Sequence, residues 1–461
     1  MIPLGAKFDC LKNASVLKLE ELVYTPFHLI ATLLFALAII HTLSVNLLHA
    51  WARKIEARRS PQAERSFWLQ TLYFLSEVEV VFGVWVIPLF IALGLLYDWK
   101  TALHYINTRD YTEPLFVVVV LSLASTKPIV QFAETLLRAI SQFFGGTVTA
   151  WWFTLLTLGP LLGSLITETG AMAVTALLLA RQFYSHHPSP RLAYATLGLL
   201  FSNISIGGIL TNFASPAVLV LSHSWNWTTP YMFFTYGWKA VLGVVFANLL
   251  TWFLFRKELA RLNQLPLPSV SEQTPIPFWI TLSHILFIFW IVLTANYPAI
   301  FVASFLFFLG FYQATRTHQY ALRLARPLLV GFFLAGLVIH GGLQGWWVVR
   351  FLEKLSPLQV LGAAMGLTAF NDNTAIAYLT TLVPGWGEAF QYALFTGIIA
   401  GGGLTVIANA PNPAGYVILS KHFPNGISAW KLLQAALLPA LIYYLIFCSF
   451  GPLLGLILPL G

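Results

Sequence analysis

The sequence predicts an all-α, polytopic membrane protein built from two repeats of inverted topology. Three observations carry this expectation. Of the 461 residues, 58% are hydrophobic and only 9% charged. The mean hydropathy of +0.77 belongs to a chain embedded in lipid rather than dissolved in water. Two polar clusters with an acid in each, at Glu168 and Asp372, interrupt the apolar background in similar local patterns.

Taken in order, the apolar segments are 26–50, 67–97, 114–137, 149–184, 192–222 and 230–255, then 277–296, 298–316, 327–349, 356–384, 388–420 and 430–459. Residues 1–25 form a polar N-terminal segment of mixed charge with no cleavable signal, so the first span doubles as the insertion signal. Segments 149–184 and 356–384 are broken near the middle, by Thr167 to Gly170 and by Asn371 to Thr374. Each fits a re-entrant hairpin, which a membrane tolerates where the turn is buried in protein or lines a cavity.

The basic residues Arg53, Lys54, Arg58, Arg59 and Arg65 place the loop after the first span in the cytoplasm. If both hairpins return to the side they enter from, Arg256, Lys257 and Arg261 also fall inside, as do Arg316, Arg323, Arg326, Lys421 and Lys431. Both termini then lie outside, and Arg350 and Lys354 are exceptions. Three spans, a hairpin and two spans make residues 26–255; the same series makes 277–459, joined by a cytoplasmic linker at 256–276. Five crossings per unit is odd, so the second unit is inverted relative to the first. Trp238-Lys239 and Trp430-Lys431, each early in the last helix of its unit, repeat the pattern.

The predicted helices 192–222 and 388–420 carry breakers in mid-span. One contains Gly207-Gly208-Ile209-Leu210-Thr211, then Asn212, Ser215 and Pro216. The other contains Gly401-Gly402-Gly403-Leu404-Thr405, then Asn409, Pro411, Asn412 and Pro413. Glycine weakens a helix and proline removes a donor, so both are expected to unwind about half way across and expose carbonyls. Close packing through small residues explains the glycines alone but not the Thr, Asn and Pro beside them.

A carboxylate at mid-depth costs roughly 3 kcal/mol or more, which makes Glu168 and Asp372 functional candidates. Asp372 stands in the richer set of oxygen donors, with Asn371, Asn373 and Thr374; Glu168 is flanked by Thr167 and Thr169. Such oxygens suit a hard cation, for which protons compete at the carboxylate. The plainer alternative is that these side chains cap the turn's own backbone. Further buried-charge candidates are Glu77 and Glu79, which face different sides of one helix, and Lys127 with Glu134, a possible static pair. No metalloprotease, nucleophile-elbow or phosphate-loop motif is present. The net charge of +8 comes mainly from short loops that orient spans, not from a nucleic-acid surface. Cys10 and Cys448 lie at opposite ends and suggest neither a disulfide framework nor a zinc site.

These motifs resemble the ion transporter superfamily, which includes D-type sodium/proton antiporters, arsenite exporters, and citrate and divalent anion/sodium symporters. Asn373-Thr374 looks like that group's polar-Asn-Thr hairpin tip, while Thr169-Gly170 lacks the asparagine. Ser76-Glu77-Val78-Glu79-Val80-Val81-Phe82-Gly83 and Ala124-Ser125-Thr126-Lys127-Pro128 are similar to a bacterial family of sodium/proton antiporters. The resemblance implies inverted repeats, each with a re-entrant hairpin and a broken helix.

The resulting expectation is a secondary transporter of the bacterial inner membrane that exchanges cytoplasmic sodium for external protons by alternating access. Asp372 and Glu168 would titrate. Asn371, Asn373, Thr374, Thr167, Thr169, Thr211, Asn212, Thr405 and Asn409 would complete the sites, with backbone from Gly207, Gly208, Gly401, Gly402 and Gly403. Sodium and protons are cargo and no cofactor is expected. The bilayer and small ions are the partners, with a second copy of the chain a candidate. A sodium- or proton-coupled carrier of an organic or inorganic anion is the alternative, although acids at both tips repel an anion. An intramembrane enzyme or lipid-handling protein is a more remote one.

Overall fold

The computed structural model describes residues 26–58, 66–265, 275–295, 297–319, 321–322, 324, 326–347, 354–381, 383, 385–424 and 426–452, together with Ala325. The predicted segment 1–25 with Cys10, and residues 266–274 of the linker 256–276, lie outside the described residues. Regular structure among the described residues is entirely helical. In the first half, α1 is Pro26–Ala57, α2 Phe67–Leu75, α3 Val81–Leu96, α4 Trp99–Asn107, α5 Thr112–Ala124 and α6 Lys127–Phe143. Then come α7 Val148–Ile166, α8 Glu168–Gln182, α9 Pro190–Gly207 and α10 Pro216–Ser224. A long helix, α11, runs Thr229–Leu262 through a π turn at Phe233–Gly237. The second half holds α12 Phe278–Leu293, α13 Pro298–Ala314, α14 Ala325–Gly341, α15 Pro357–Phe370 and α16 Asn373–Thr381. It closes with α17 Glu388–Gly401, α18 Asn412–Leu419 and α19 Ala429–Ser449.

Among the described residues, four helices are individually long and apolar enough to cross a membrane, and six if each of two bent pairs counts as one span. The remaining apolar helices are shorter, so several expected spans are interrupted. Segment 114–137 breaks after Ala124 and bends by 62° into α6. The cause is local. Thr126 Oγ1 donates to Leu123 O at 2.7 Å, which ends α5, and Pro128 fits only in the first turn of the next helix. Segment 67–97 likewise splits into α2 and α3, with Glu77 and Glu79 in the break.

Two compact units emerge, and their boundary does not follow the predicted linker. Among the described residues, one comprises those up to Val118 with those of Ala325–Lys354 and Tyr378–Pro384; the other comprises those of Val119–Leu324, of Leu355–Ala377 and from Gly385 on. Each therefore draws on both predicted repeats. In the first unit, α3 and α14 touch backbone to backbone, since a Cβ on Gly336 would stand 2.6 Å from Gly83 N. Its core holds His340 between the Phe35 and Phe82 rings, each 6.2 Å away.

The second unit contains both acid clusters. Its connections define which ends lie together. The Thr149 N–H donates to Asn263 Oδ1 at 2.9 Å, which ties the start of α7 to the end of α11. The Ser189 N–H donates to Glu258 Oε1 at 2.7 Å, which ties the segment after α8 to that same end. Both open ends of the α7–α8 hairpin thus meet the C-terminal turns of α11. Tyr194, near the start of α9, packs under Lys431, whose Nζ lies 5.8 Å from the ring centre.

Candidate functional site

The α7–α8 hairpin turns on one residue. Thr167 sits at φ 69°, a conformation that costs a non-glycine residue about 1–3 kcal/mol and that collects at functional sites. Small residues let the arms approach: a Cβ on Gly159 would stand 2.3 Å from Thr175 Oγ1. Thr167 Oγ1 accepts from the Gly170 N–H at 3.4 Å and caps α8. Glu168 opens α8 and is 1% exposed.

The second tip joins α15 to α16. Asn371 Oδ1 accepts from the Asp372 N–H at 3.0 Å, and Asp372 Oδ1 accepts from the Thr374 N–H at 2.9 Å. Thr374 Oγ1 donates to Asn373 Oδ1 at 3.3 Å. Much of the oxygen density read from the sequence here is therefore engaged in capping α16.

Both expected helix breaks are present. Helix is absent at 211–215 between α9 and α10, apart from a 3-10 turn just before it, and at 402–411 between α17 and α18. Each tip docks into its break by the same two hydrogen bonds. The Glu168 N–H donates to Ala214 O at 3.3 Å, and the Asn373 N–H to Ala408 O at 3.0 Å. Thr211 Oγ1 donates to Ser164 O and Thr405 Oγ1 to Ala369 O, both at 2.8 Å. These bonds fix the register between the halves. Glu168 matches Asn373, Thr167 matches Asp372, and Ser215 matches Asn409. Glu168 and Asp372, which the sequence sets in similar local patterns, therefore stand one residue out of step in the docking bonds.

The two breaks also meet each other. Ser205 Oγ donates to Ile399 O at 2.8 Å. A Cβ on Gly402 would stand 2.3 Å from Ser205 Oγ, and one on Gly403 2.3 Å from Ser202 Cα, so this crossing admits only hydrogen. The crossing brings Asn409 to the acid of the other half: Asn409 Nδ2 donates to Glu168 Oε2 at 3.0 Å. Gly208 supports the carboxylate from beside it, since a Cβ there would stand 2.5 Å from Glu168 Oε1. Ser215 stands close enough to Glu168 to influence it, and Asp372 acts on it electrostatically.

The four matched residues Glu168, Asn373, Ser215 and Asn409 share one property. Glu168 Oε1, Asn373 Nδ2, Ser215 Oγ and Asn409 Oδ1 are all buried without a well-formed hydrogen bond, and Ser215 and Asn409 both stand against the Glu168 carboxylate. Buried polar atoms are nearly always satisfied, so a cluster of unsatisfied ones points to a water, ion or proton site. Three of the four are oxygens, the donor type hard cations take. Ser215 appears in the sequence only as part of a break. Its signal is the longer match Gly207-Gly208-Ile209-Leu210-Thr211-Asn212-Phe213-Ala214-Ser215 to Gly401-Gly402-Gly403-Leu404-Thr405-Val406-Ile407-Ala408-Asn409.

Other candidates fall elsewhere. Asn212 Nδ2 donates to Trp227 O at 3.0 Å, and its Oδ1 accepts from Thr229 Oγ1 at 2.7 Å, so its side chain is tied to a loop rather than to the acids. The Thr211 and Thr405 hydroxyls serve the docking bonds. Thr169 follows Glu168 and is partly exposed. Glu134 pairs with Arg138 at 3.5 Å, one turn along α6. Glu77 is exposed and Glu79 half-buried, within electrostatic reach of Arg326 in the first unit.

Helices broken in mid-course around a buried polar site are where transporters commonly bind their cargo, and this multi-pass membrane protein is a transporter rather than an enzyme. The chain belongs to the family described as "Putative Na+/H+ antiporter", whose model it matches over residues 26–450. Among solved structures it is similar to the YdaH transporter of Alcanivorax borkumensis, with 17% sequence identity and a TM-score of 0.47, over 83% of this chain and 99% of that one. No curated protein matches it.

Proposed function

We propose that this transporter exchanges sodium for protons at the Glu168 carboxylate, by alternating access, in a bacterial inner membrane. One observation carries the reading. Glu168 is almost fully buried, one carboxylate oxygen is held by Asn409, and the other, Oε1, is buried without a well-formed hydrogen bond, with Ser215 close to the carboxylate. A buried charge of this kind is costly until neutralised. A proton on Oε1 neutralises it. So does a sodium ion at Oε1, with Ser215 Oγ and Asn409 Oδ1 as candidate further ligands. The two occupants exclude each other, and their competition becomes exchange once the site alternates between the two faces. With Asp372 capping α16, one exchanging carboxylate implies one proton per sodium ion.

The paired docking bonds support a pair of inverted repeats, with α7–α8 and α15–α16 as re-entrant hairpins. Arg256, Lys257, Arg261 and Lys431 gather at the end where α7–α8 opens, which supports a cytoplasmic placement of that end. A carboxylate at the centre also disfavours an anion as the cargo.

The test is reconstitution into vesicles containing a pH-sensitive dye. Proton movement on addition of sodium, and none on addition of citrate, is the expected outcome. Citrate uptake that depends on sodium would overturn the reading.

A further inference from the structure

We propose that a groove at the basic end of the second unit binds an anionic phospholipid. The groove lies between the end of α6, the start of α7 and the end of α11, and its volume is about 660 Å³. Ligand cavities commonly hold about 300–1,000 Å³. Ile140, Phe144, Phe153, Leu158 and Trp252 make its walls apolar, and Arg256 enters it near the end of α11. Along α7 the lining runs from Thr149 to Leu158, about 14 Å at 1.5 Å per residue. That is a slot running along the helices, shaped for a chain rather than for a compact solute.

Charge selects the headgroup. Arg256 is exposed, with its guanidinium 4.7 Å above the Phe253 ring. Lys257 and Arg261 flank it on the same helix end and are also exposed. The acid among them, Glu258, does not offset them freely, because it accepts from the Ser189 N–H at 2.7 Å and from Ser189 Oγ at 2.9 Å. A basic helix end above an apolar slot, at the edge of a membrane-spanning unit, complements a phosphate joined to an acyl chain. A free anion would leave the apolar walls uncovered, and a zwitterionic lipid would gain less from the arginine. The ligand would brace α7, whose C-terminal end delivers Glu168.

The experiment uses purified full-length protein in detergent. Phosphatidylglycerol or phosphatidylcholine with identical chains is added, thermal unfolding is followed, and retained lipid is counted by native mass spectrometry. Phosphatidylglycerol should raise the unfolding midpoint and remain bound, and phosphatidylcholine should do neither. Arg256→Gln should weaken phosphatidylglycerol retention about fivefold, the loss typical of one basic residue at an anionic lipid surface. Arg261→Gln removes an equal charge from the same helix end but not from the groove lining, and should retain the lipid. Ala260→Trp, which fills the groove with Arg256 intact, should abolish retention. Equal effects of the two lipids would overturn the proposal. So would equal losses in the two arginine variants, or a groove whose filling disrupts dimers without changing lipid retention.

Discussion

Gly208→Ala is a direct probe of the geometry around Glu168. The backbone at Gly208 lies at φ −77° and ψ −5°, which alanine adopts without strain, so the substitution adds one methyl group and little else. That methyl would stand 2.5 Å from both Glu168 Cγ and Oε1. An ordinary contact needs roughly 3.5 Å or more, so the carboxylate must move by about an ångström. A shift of that size stretches the 3.0 Å bond from Asn409 Nδ2 beyond useful length. A hydrogen bond to a charged group contributes about 1.5–3 kcal/mol, which corresponds to a roughly ten- to hundred-fold rise in the sodium concentration needed for half-maximal exchange. The assay is sodium-driven proton movement in dye-loaded vesicles, with size-exclusion chromatography as the check on folding. Folded protein with an unchanged sodium dependence would refute the argument that Gly208 and Asn409 together position the carboxylate.

Other predictions follow from the same structure. Glu168→Gln keeps the shape of the side chain but not its charge, and should abolish exchange in vesicles while the protein still purifies folded. Asp372→Asn keeps an oxygen for the cap on Thr374, so measurable exchange should survive it, whereas Asp372→Ala should lower stability by about 1 kcal/mol in thermal unfolding. Because one carboxylate exchanges one charge for another, the rate should be insensitive to a membrane potential imposed with potassium and valinomycin; a potential-dependent rate would show that a second group carries protons. Asn203→Ala should destabilise the second unit by about 3 kcal/mol, read as a lower unfolding midpoint in detergent. It removes the donor to Leu156 O at 2.7 Å and to Asn248 Oδ1 at 2.9 Å, together with the acceptor for Tyr443 OH.

Much of this was legible in the sequence, for physical reasons. An acid, or a cluster of Gly, Thr, Asn and Pro, stands out against an apolar background, so the turn at Thr167, the turn at Asn371 and both helix breaks could be located. Hydropathy reports burial in lipid and not helical continuity, so the breaks at Ser125–Thr126 and at Ser76–Val80 were hidden inside apolar runs. The register of the two halves was ambiguous because alanine recurs at alternate positions after each tip, at Ala171 and Ala173 and at Ala375 and Ala377. Only the bonds from Glu168 N–H to Ala214 O and from Asn373 N–H to Ala408 O settle it. That one-residue offset changes the chemistry. It sets Glu168 against an asparagine rather than against a second acid, and gives Asp372 the capping place that Thr167 holds in the first half. The pairing of Glu168 with Asn409 could not be read at all, since the two lie far apart in the chain and meet only where Gly402 and Gly403 allow α17 to cross α9.

The central claim is that sodium and a proton compete for the Glu168 carboxylate. Proton release into a weakly buffered solution, measured as sodium is added to the purified protein, tests it most directly. A single proton per bound sodium ion should be released from the native protein and from Asp372→Asn, and none from Glu168→Gln. Undiminished release from Glu168→Gln would contradict it.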